Sequence, residues 1–442
     1  MLGPEPGTPD VAIPGSFRGN NAPHGSSFGD KSWPRVFSDP TLKRLISRAL
    51  KNNPDLVAAT YRIEEARARA EAARANWFPN VNGNAAATAN YSAPNAGALG
   101  DRHSESYNLT GLLTWELDLW GGIARDNQAA RARLLESEYQ RDAVQTSLIA
   151  AVATSYIDLQ NLDERLAISQ RTVISRKASL ELVTARRDGG VSSDLEVGQA
   201  EALLSQAEIL VPSTERAIAE KENEIHSLLG EYPGNIVRGG SLDKLDASFS
   251  ISTGLPSSLM ARRPDISAAD QSFQAATADI GVAEALRFPS LSLTGQGGVV
   301  SSELNNLLQG KSAAYSIGPQ LTGPIFDAGR ASARVKAAQA SAKIALAAYQ
   351  KAVQQAFRET ADSLVAYQKT GEVIAEGTKL VTSQKSVSVI ALDRFQGGAS
   401  SYLEVLDAER GLFTAELDLA DARSNRLRAV VQAYRALGGG WK

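Results

Sequence analysis

Sixty-five consecutive residues, 124–188, contain neither Gly nor Pro and are rich in Ala, Leu, Arg, Glu and Gln. Those residue types favour helix, and nothing in the run would break one. At 1.5 Å per residue the segment predicts a rod of about 98 Å. A second run, 330–396, lacks Pro and carries only Gly371 and Gly377, which predict a bend. Helices this long must be covered by neighbours along their length, as in coiled coils. Shorter helices are expected over residues 42–76, 193–229, 257–287 and 401–437. Pro212 should kink the second of these, because it removes a helical hydrogen bond.

The two rods belong to a duplicated chain. Asn53-Pro54-Asp55-Leu56 recurs as Arg263-Pro264-Asp265-Ile266, and Trp77-Phe78-Pro79 as Arg287-Phe288-Pro289, both 210 residues later. Gly189-Gly190-Val191-Ser192-Ser193 recurs as Gly397-Gly398-Ala399-Ser400-Ser401 at a spacing of 208. Several landmarks in one order at nearly constant spacing mark an internal repeat. The expected organisation starts with an extended N-terminal strap, 1–38, whose twelve Gly and Pro cannot form helix or central strand. Repeat 1 follows at 39–235, with a helix, a β-hairpin at 79–119, the long helix 124–188 and a helix at 193–229. A linker or equatorial segment occupies 236–256. Repeat 2 spans 257–438, with a helix, a hairpin at 289–326, the long helix 330–396 and a helix at 401–437, leaving the tail 439–442.

Between the first two helices of each repeat the apolar period changes to two. Val81, Gly83, Ala85, Ala87, Ala89 and Tyr91 alternate with mostly Asn and Thr, and Tyr107, Leu109, Gly111, Leu113, Trp115 and Leu117 with Asn108, Thr110, Thr114 and Glu116. Repeat 2 has Leu291, Leu293, Gly295, Gly297 and Val299, then Tyr315, Ile317 and Leu321, opposite Ser, Thr and Gln. These are strands with one apolar and one polar face, joined by loops near 92–106 and 301–313 into two hairpins. Alternating strands of about ten residues with aromatics near their ends are the pattern of an outer-membrane β-barrel. Four strands cannot close one, since the smallest such barrels have about eight. Open edges are not tolerated in lipid, so several chains would share a barrel.

Composition narrows function by exclusion. Lys+Arg 46 against Asp+Glu 49 gives a net charge of −3, which offers no basic footprint for nucleic acid. There is no Cys, and His24, His103 and His226 are scattered, the first two in segments read as coil. Zinc sites, Cys nucleophiles and Ser-His-Asp systems therefore lack parts, and neither an enzyme nor a metal or cofactor site is expected. No run approaches the 18 apolar residues of a membrane-spanning helix. A coiled-coil scaffold would use the helices but leave the four alternating strands unexplained.

At this level of detail the chain resembles the TolC-like outer-membrane efflux channels, specifically the OprM-type component of tripartite drug pumps. The resemblance is carried by Gly3-Pro4, Trp33, Phe37, Asp39-Pro40, Asn53 with Asp55-Leu56, Glu116-Leu117-Asp118-Leu119-Trp120-Gly121, Arg263-Pro264-Asp265-Ile266 and Phe288-Pro289. It continues through Pro324-Ile325-Phe326-Asp327, Tyr402-Leu403, Val405-Leu406-Asp407-Ala408, Arg410 and Ala436-Leu437-Gly438-Gly439-Gly440-Trp441. It implies a mainly α chain in a homotrimer, with a 12-strand transmembrane β-barrel, a 12-helix periplasmic α-barrel and a mixed equatorial belt. The implied role is the passive outer-membrane exit duct of a tripartite multidrug efflux system. Its partners would be a periplasmic adaptor, an inner-membrane RND-type pump and outer-membrane lipid. A duct for type I protein secretion or metal-ion efflux is the alternative within the class. Family members are usually lipoproteins acylated on a Cys before the Gly-Pro. A start at Met1 without that Cys predicts a processed or re-engineered N-terminus.

The resemblance also implies a gate at the periplasmic helix tip. Leu403 and Asp407 match lumen-facing constriction residues, with Arg410 one turn away. Leu403 and Asp407 are four apart and share a helix face. Their counterparts Leu195, Gln199 and Ala202 keep neither charge, which suggests that one repeat specialises in gating. A plain surface ion pair between Asp407 and Arg410 is the competing reading. The turns Gly189, Gly190, Val191, Ser192 and Gly397, Gly398, Ala399, Ser400 are the candidate adaptor contacts. They also read fully as helix punctuation, with a glycine C-cap followed by a Ser N-cap.

Overall fold

A computed structural model describes residues 1–17, 27–91, 93, 103–240 and 251–441. They divide into two units, each drawn from both repeats. The first takes Met1–Asp10, Arg62–Glu138 and Ala268–Gln350, and the second Val11–Tyr61, Tyr139–Ser267 and Lys351–Lys442. His24 and residues 241–250 of the linker lie outside the described residues.

In the first unit, period-two alternation produces β1 (Asn80–Tyr91), β2 (His103–Leu117), β3 (Ser290–Ser301) and β4 (Ala313–Thr322). His103, expected in coil, opens β2. The strands form one antiparallel sheet in the order β1-β2-β3-β4 instead of two separate hairpins. The join is β2 on β3, in register from Tyr107 opposite Ser301 to Leu117 opposite Leu291. Odd positions pair with odd positions throughout, so Val81, Leu113, Gly295 and Ile317 line up in one cross-strand row and Ala85, Leu109, Val299 and Ala313 in another. Asn80, Thr114, Thr294 and Gly318 form a row of the opposite face. The apolar face is bare: Val81 is 68% and Ile317 72% exposed. β1 and β4 each pair on one side, leaving two open edges among the described residues. Gly298 permits the β2–β3 join, since a Cβ there would lie 2.2 Å from the Leu109 carbonyl oxygen.

The N-terminal residues of this unit are bolted by Arg125, whose side chain is fully buried. Its Nε donates to Leu2 O at 3.0 Å, and Nη2 donates to Gly3 O at 3.3 Å and to Glu5 Oε1 at 3.1 Å. Gly3, at φ +79°, meets Gly281 so closely that a Cβ on either would collide with the other's backbone or its neighbour's. Arg125→Ala removes every one of these donors and opens a void. Limited proteolysis with mass spectrometry should then show cleavage within residues 1–10 that the parent chain resists; an unchanged pattern would refute the bolt.

Helices account for most of the remaining chain. The expected helix over 42–76 is two, α2 (Pro40–Asn52) and α3 (Pro54–Ala75), after a one-turn α1 (Trp33–Val36). Residues before proline avoid the helical region, and Asn53 accordingly sits at φ −62°, ψ 124°. Its Oδ1 then accepts from the Asp55 and Leu56 amides, so the break is also a cap. Arg263-Pro264 divides α6 (Pro256–Arg262) from α7 (Pro264–Ala285) in the same way. The α1 turn contradicts a strap without helix; Pro34 lies in its first turn, where no amide donor is needed. The rods are α4 (Gly122–Asp188) and α8 (Arg330–Gln396), 67 residues each, returning as α5 (Asp194–Leu229) and α9 (Tyr402–Ala436). Helix α5 runs unbroken through Pro212. Helix α8 runs unbroken through Gly371 and Gly377, whose missing side chains leave room for α9: a Cβ on Gly371 would lie 2.7 Å from Arg426 Nη1. The main core of the second unit gathers Ile46, Ile149, Val152, Tyr156, Leu159, Ile225 and Val431, all at most 1% exposed.

Candidate functional site

At the far ends of the long hairpins in the second unit, the two repeats build the same turn from the same residues. Gly190 (φ +77°) and Gly398 (φ +73°) take the left-handed conformation that a residue with a Cβ resists. The Val191 amide donates to Arg186 O and the Ala399 amide to Arg394 O, both at 2.8 Å, satisfying carbonyls that the helix ends leave open. Gly189, Gly190, Val191, Gly397, Gly398 and Ala399 are exposed, while Ser192 and Ser400 are half-buried. The turns then diverge. Ser193 and Glu196 form a reciprocal capping box, whereas Ser401 caps nothing with its side chain and Glu404 instead faces Arg394 at 3.6 Å.

Behind the turns the four helices share one apolar cluster. Val183 from α4, Val197, Ala200 and Leu203 from α5, Ala391 and Phe395 from α8, and Tyr402, Val405 and Leu406 from α9 are all buried there. Phe395 and Tyr402 rings lie 5.2 Å apart, and the Arg186 guanidinium covers Phe395 at 4.6 Å, an aromatic and cation–π seal linking α4, α8 and α9. Burial raises the Tyr402 hydroxyl pKa above its ordinary range, so the ring stays neutral.

Leu403, Asp407 and Arg410 occupy the opposite, exposed face of α9. Leu403 is 64% exposed. Asp407 and Arg410 line one groove between α8 and α9 together with Arg394, Glu404, Gln384 and Asp418. No ion pair joins Asp407 to Arg410 among the described residues, so the plain surface pair does not form. A Cβ on Gly411 would come 3.0 Å from Gln384, so the glycine keeps the groove floor close to α8. In repeat 1, Leu195 is likewise 70% exposed, while Gln199 is half-buried and Ala202 exposed. An exposed, charged helix face beside a tightly packed one can hold a ring of side chains in a lumen without unfolding when that ring changes.

Sequence reasoning missed the polar groups on the buried side of α9. Glu409 is 9% and Arg176, from α4, 2% exposed. Ser179 Oγ donates to Glu409 Oε1 at 2.7 Å, Arg176 Nη1 donates to Leu203 O at 2.6 Å, and its guanidinium lies 4.9 Å over the Phe413 ring. The signal was present in the spacing. Residues 176, 179 and 183 of α4, and 402, 406, 409 and 413 of α9, follow the three-four rhythm of a helix seam, and the charges interrupt apolar positions.

The profile of the family described as "Outer membrane efflux protein" matches residues 45–231 and 255–439, the two repeats. A relative from Pseudomonas putida, the solvent efflux pump outer membrane protein SrpC, is 37% identical over 408 residues, covering 92% of this chain and 86% of its own. Among solved structures, the outer-membrane channel OprN superposes with a TM-score of 0.93 at 32% identity, over 100% of this chain and 99% of that one. The open state of the MtrE outer membrane channel of Neisseria gonorrhoeae gives 0.89 at 29% identity, over 100% and 98%.

Proposed function

We propose, since the chain belongs to the outer membrane efflux protein family, that three copies close into one exit duct whose tips meet a periplasmic adaptor. The protein is an outer-membrane efflux channel and conducts passively; it is not an enzyme. The observation that supports a barrel shared between chains is the four-stranded sheet with two open edges, bare and apolar on one face and polar on the other, and the number three is what the resemblance to the trimeric channels implies. Three such sheets joined edge to edge give twelve strands, apolar toward lipid and polar toward water, and remove every edge. The duct serves an inner-membrane pump of the RND type, and small organic molecules are its cargo, in keeping with the solvent efflux named for the P. putida relative.

The gate is the exposed α9 face carrying Leu403, Asp407 and Arg410. Threefold symmetry turns each side chain into a ring, and rings of charge and apolar constrictions are how pores filter and close. The exposed turns Gly189–Ser192 and Gly397–Ser400 serve as adaptor contacts as well as helix punctuation. Opening moves α9 and its partner α8 outward when an adaptor engages those turns.

Native mass spectrometry of the detergent-extracted protein should give a mass of three chains, with single-channel activity in planar bilayers from the same preparation. A monomer or dimer that conducts would refute the shared twelve-strand barrel.

A further inference from the structure

On the buried side of the gate helix a carboxylate sits where the packing is apolar. Glu409 is flanked along the α9 seam by Val405, Leu406 and Phe413, all buried. Its Oε1 accepts one hydrogen bond, from Ser179 on α4, and its Oε2 has no partner among the described residues. Arg176, nearly one turn before Ser179, spends Nη1 on the Leu203 carbonyl of α5 and its face on Phe413; its Nε is also without a partner among the described residues. Arg176 and Glu409 are thus buried in one interior without forming an ion pair there. One donated hydrogen bond leaves an ionised carboxylate poorly solvated, and protonation removes the buried charge.

We propose that Ser179 and Glu409 form a proton-linked latch that holds the gate helix α9 on α4, engaged while Glu409 is neutral and released when it ionises. The inference rests on the reading of α9 as the gate helix. The charged and titratable groups around Glu409 are Arg171 and Arg176 from α4, Lys385 from α8, and Tyr402, Arg410 and Glu416 from α9; α5 contributes the Leu203 carbonyl. Lys385 and Arg171, the latter facing Glu416 at 3.9 Å, line the same groove and would receive a carboxylate that leaves Ser179. Burial holds the Glu409 carboxyl above the usual carboxylate range, with Ser179 and Arg176 pulling the other way. The latched arrangement therefore binds the proton more tightly than the released one. Its advantage is complete at acid pH and is lost as pH rises through the raised value.

The test is open probability in planar bilayers between pH 5 and pH 8, with the intact assembled channel. The parent channel should open more as pH rises. Glu409→Gln keeps the acceptor for Ser179 but cannot ionise, so its open probability should stay at the low-pH level across the range. Ser179→Ala removes the bond of the latch, so the released state gains at every pH and the opening midpoint should move to lower pH. Asp407→Asn, on the exposed face, should change conductance and leave the pH profile in place. A pH profile in Glu409→Gln that follows the parent overturns the latch. If Glu409→Gln does not assemble, a Ser179→Ala midpoint that stays put or moves up overturns it instead. The gate reading fails by a different result, an Asp407→Asn conductance identical to the parent's.

Discussion

Replacing Asp407 and Arg410 together with Ala should raise single-channel conductance severalfold. Both residues are exposed on α9, line the same groove as Arg394 and Glu404, and are not tied to each other. In a threefold channel the pair supplies six charges to one ring, and its removal widens the passage and strips away hydrated groups that hold a passing molecule. Exposed positions without hydrogen-bond partners contribute little to folding, so the double variant should retain its stability to within about 0.5 kcal/mol. Each single variant should have a smaller effect, because either charge alone still lines the constriction. Gln199→Ala, at the corresponding position of repeat 1, should leave conductance unchanged. Equal effects at Gln199 and Asp407 would mean that the repeats gate equally. No effect from the double variant would remove the gate from this face of α9.

The second large effect is expected from one charge on the sheet. Leu113 lies mid-strand in the cross-strand row with Val81, Gly295 and Ile317. An Arg on the lipid face near the bilayer midplane costs about 2–4 kcal/mol, and three symmetric copies would carry three of them. Leu113→Arg should therefore abolish assembled channel in the membrane fraction, read as the band that survives unheated SDS electrophoresis. Thr114→Lys, one residue along and on the polar face, should assemble normally. Assembly of Leu113→Arg at the parent level, or failure of Thr114→Lys, would mean that the sheet faces the other way.

Much of this architecture was legible because the sequence writes the same instructions twice. The 67-residue rods follow from long stretches nearly free of helix breakers, and the turns at Gly190 and Gly398 from paired glycine signatures. The strand faces were readable from alternation, since a period of two assigns each side chain to a side without knowledge of its neighbours. The β2–β3 join was not. It depends on Gly298 letting two strands from different repeats approach, and nothing local to either hairpin records that. The breaks at Asn53 and Arg263 were hidden because a proline that opens a helix and a proline that interrupts one look alike until the preceding residue's ψ is known. Gly371 and Gly377 were legible only in part: a helix glycine marks a hinge, a close neighbour or both, and the neighbours, Arg426 and Leu419, are visible only in the fold. At the proposed gate, Leu403, Asp407 and Arg410 were singled out through family resemblance. Arg176 and Glu409 needed the seam positions of α4 and α9 to be seen against each other.

The division of the chain into two units that cut across both repeats has a consequence for anyone building chimaeras. A swap at the repeat junction, residues 236–256, would transplant half of each unit and a complete copy of neither. Exchanging one unit whole requires crossovers near residues 10, 61, 138, 267 and 350, and the last four fall inside α3, α4, α7 and α8. Each residue of a helix turns the next by about 100°. A donor segment one residue too long or short at any of these joins would rotate everything beyond it by more than a quarter of a turn, pointing seam residues such as Val183 and Ala391 at water. Transplants that conserve helix phase at all four joins should be the ones that assemble, whatever their sequence identity elsewhere.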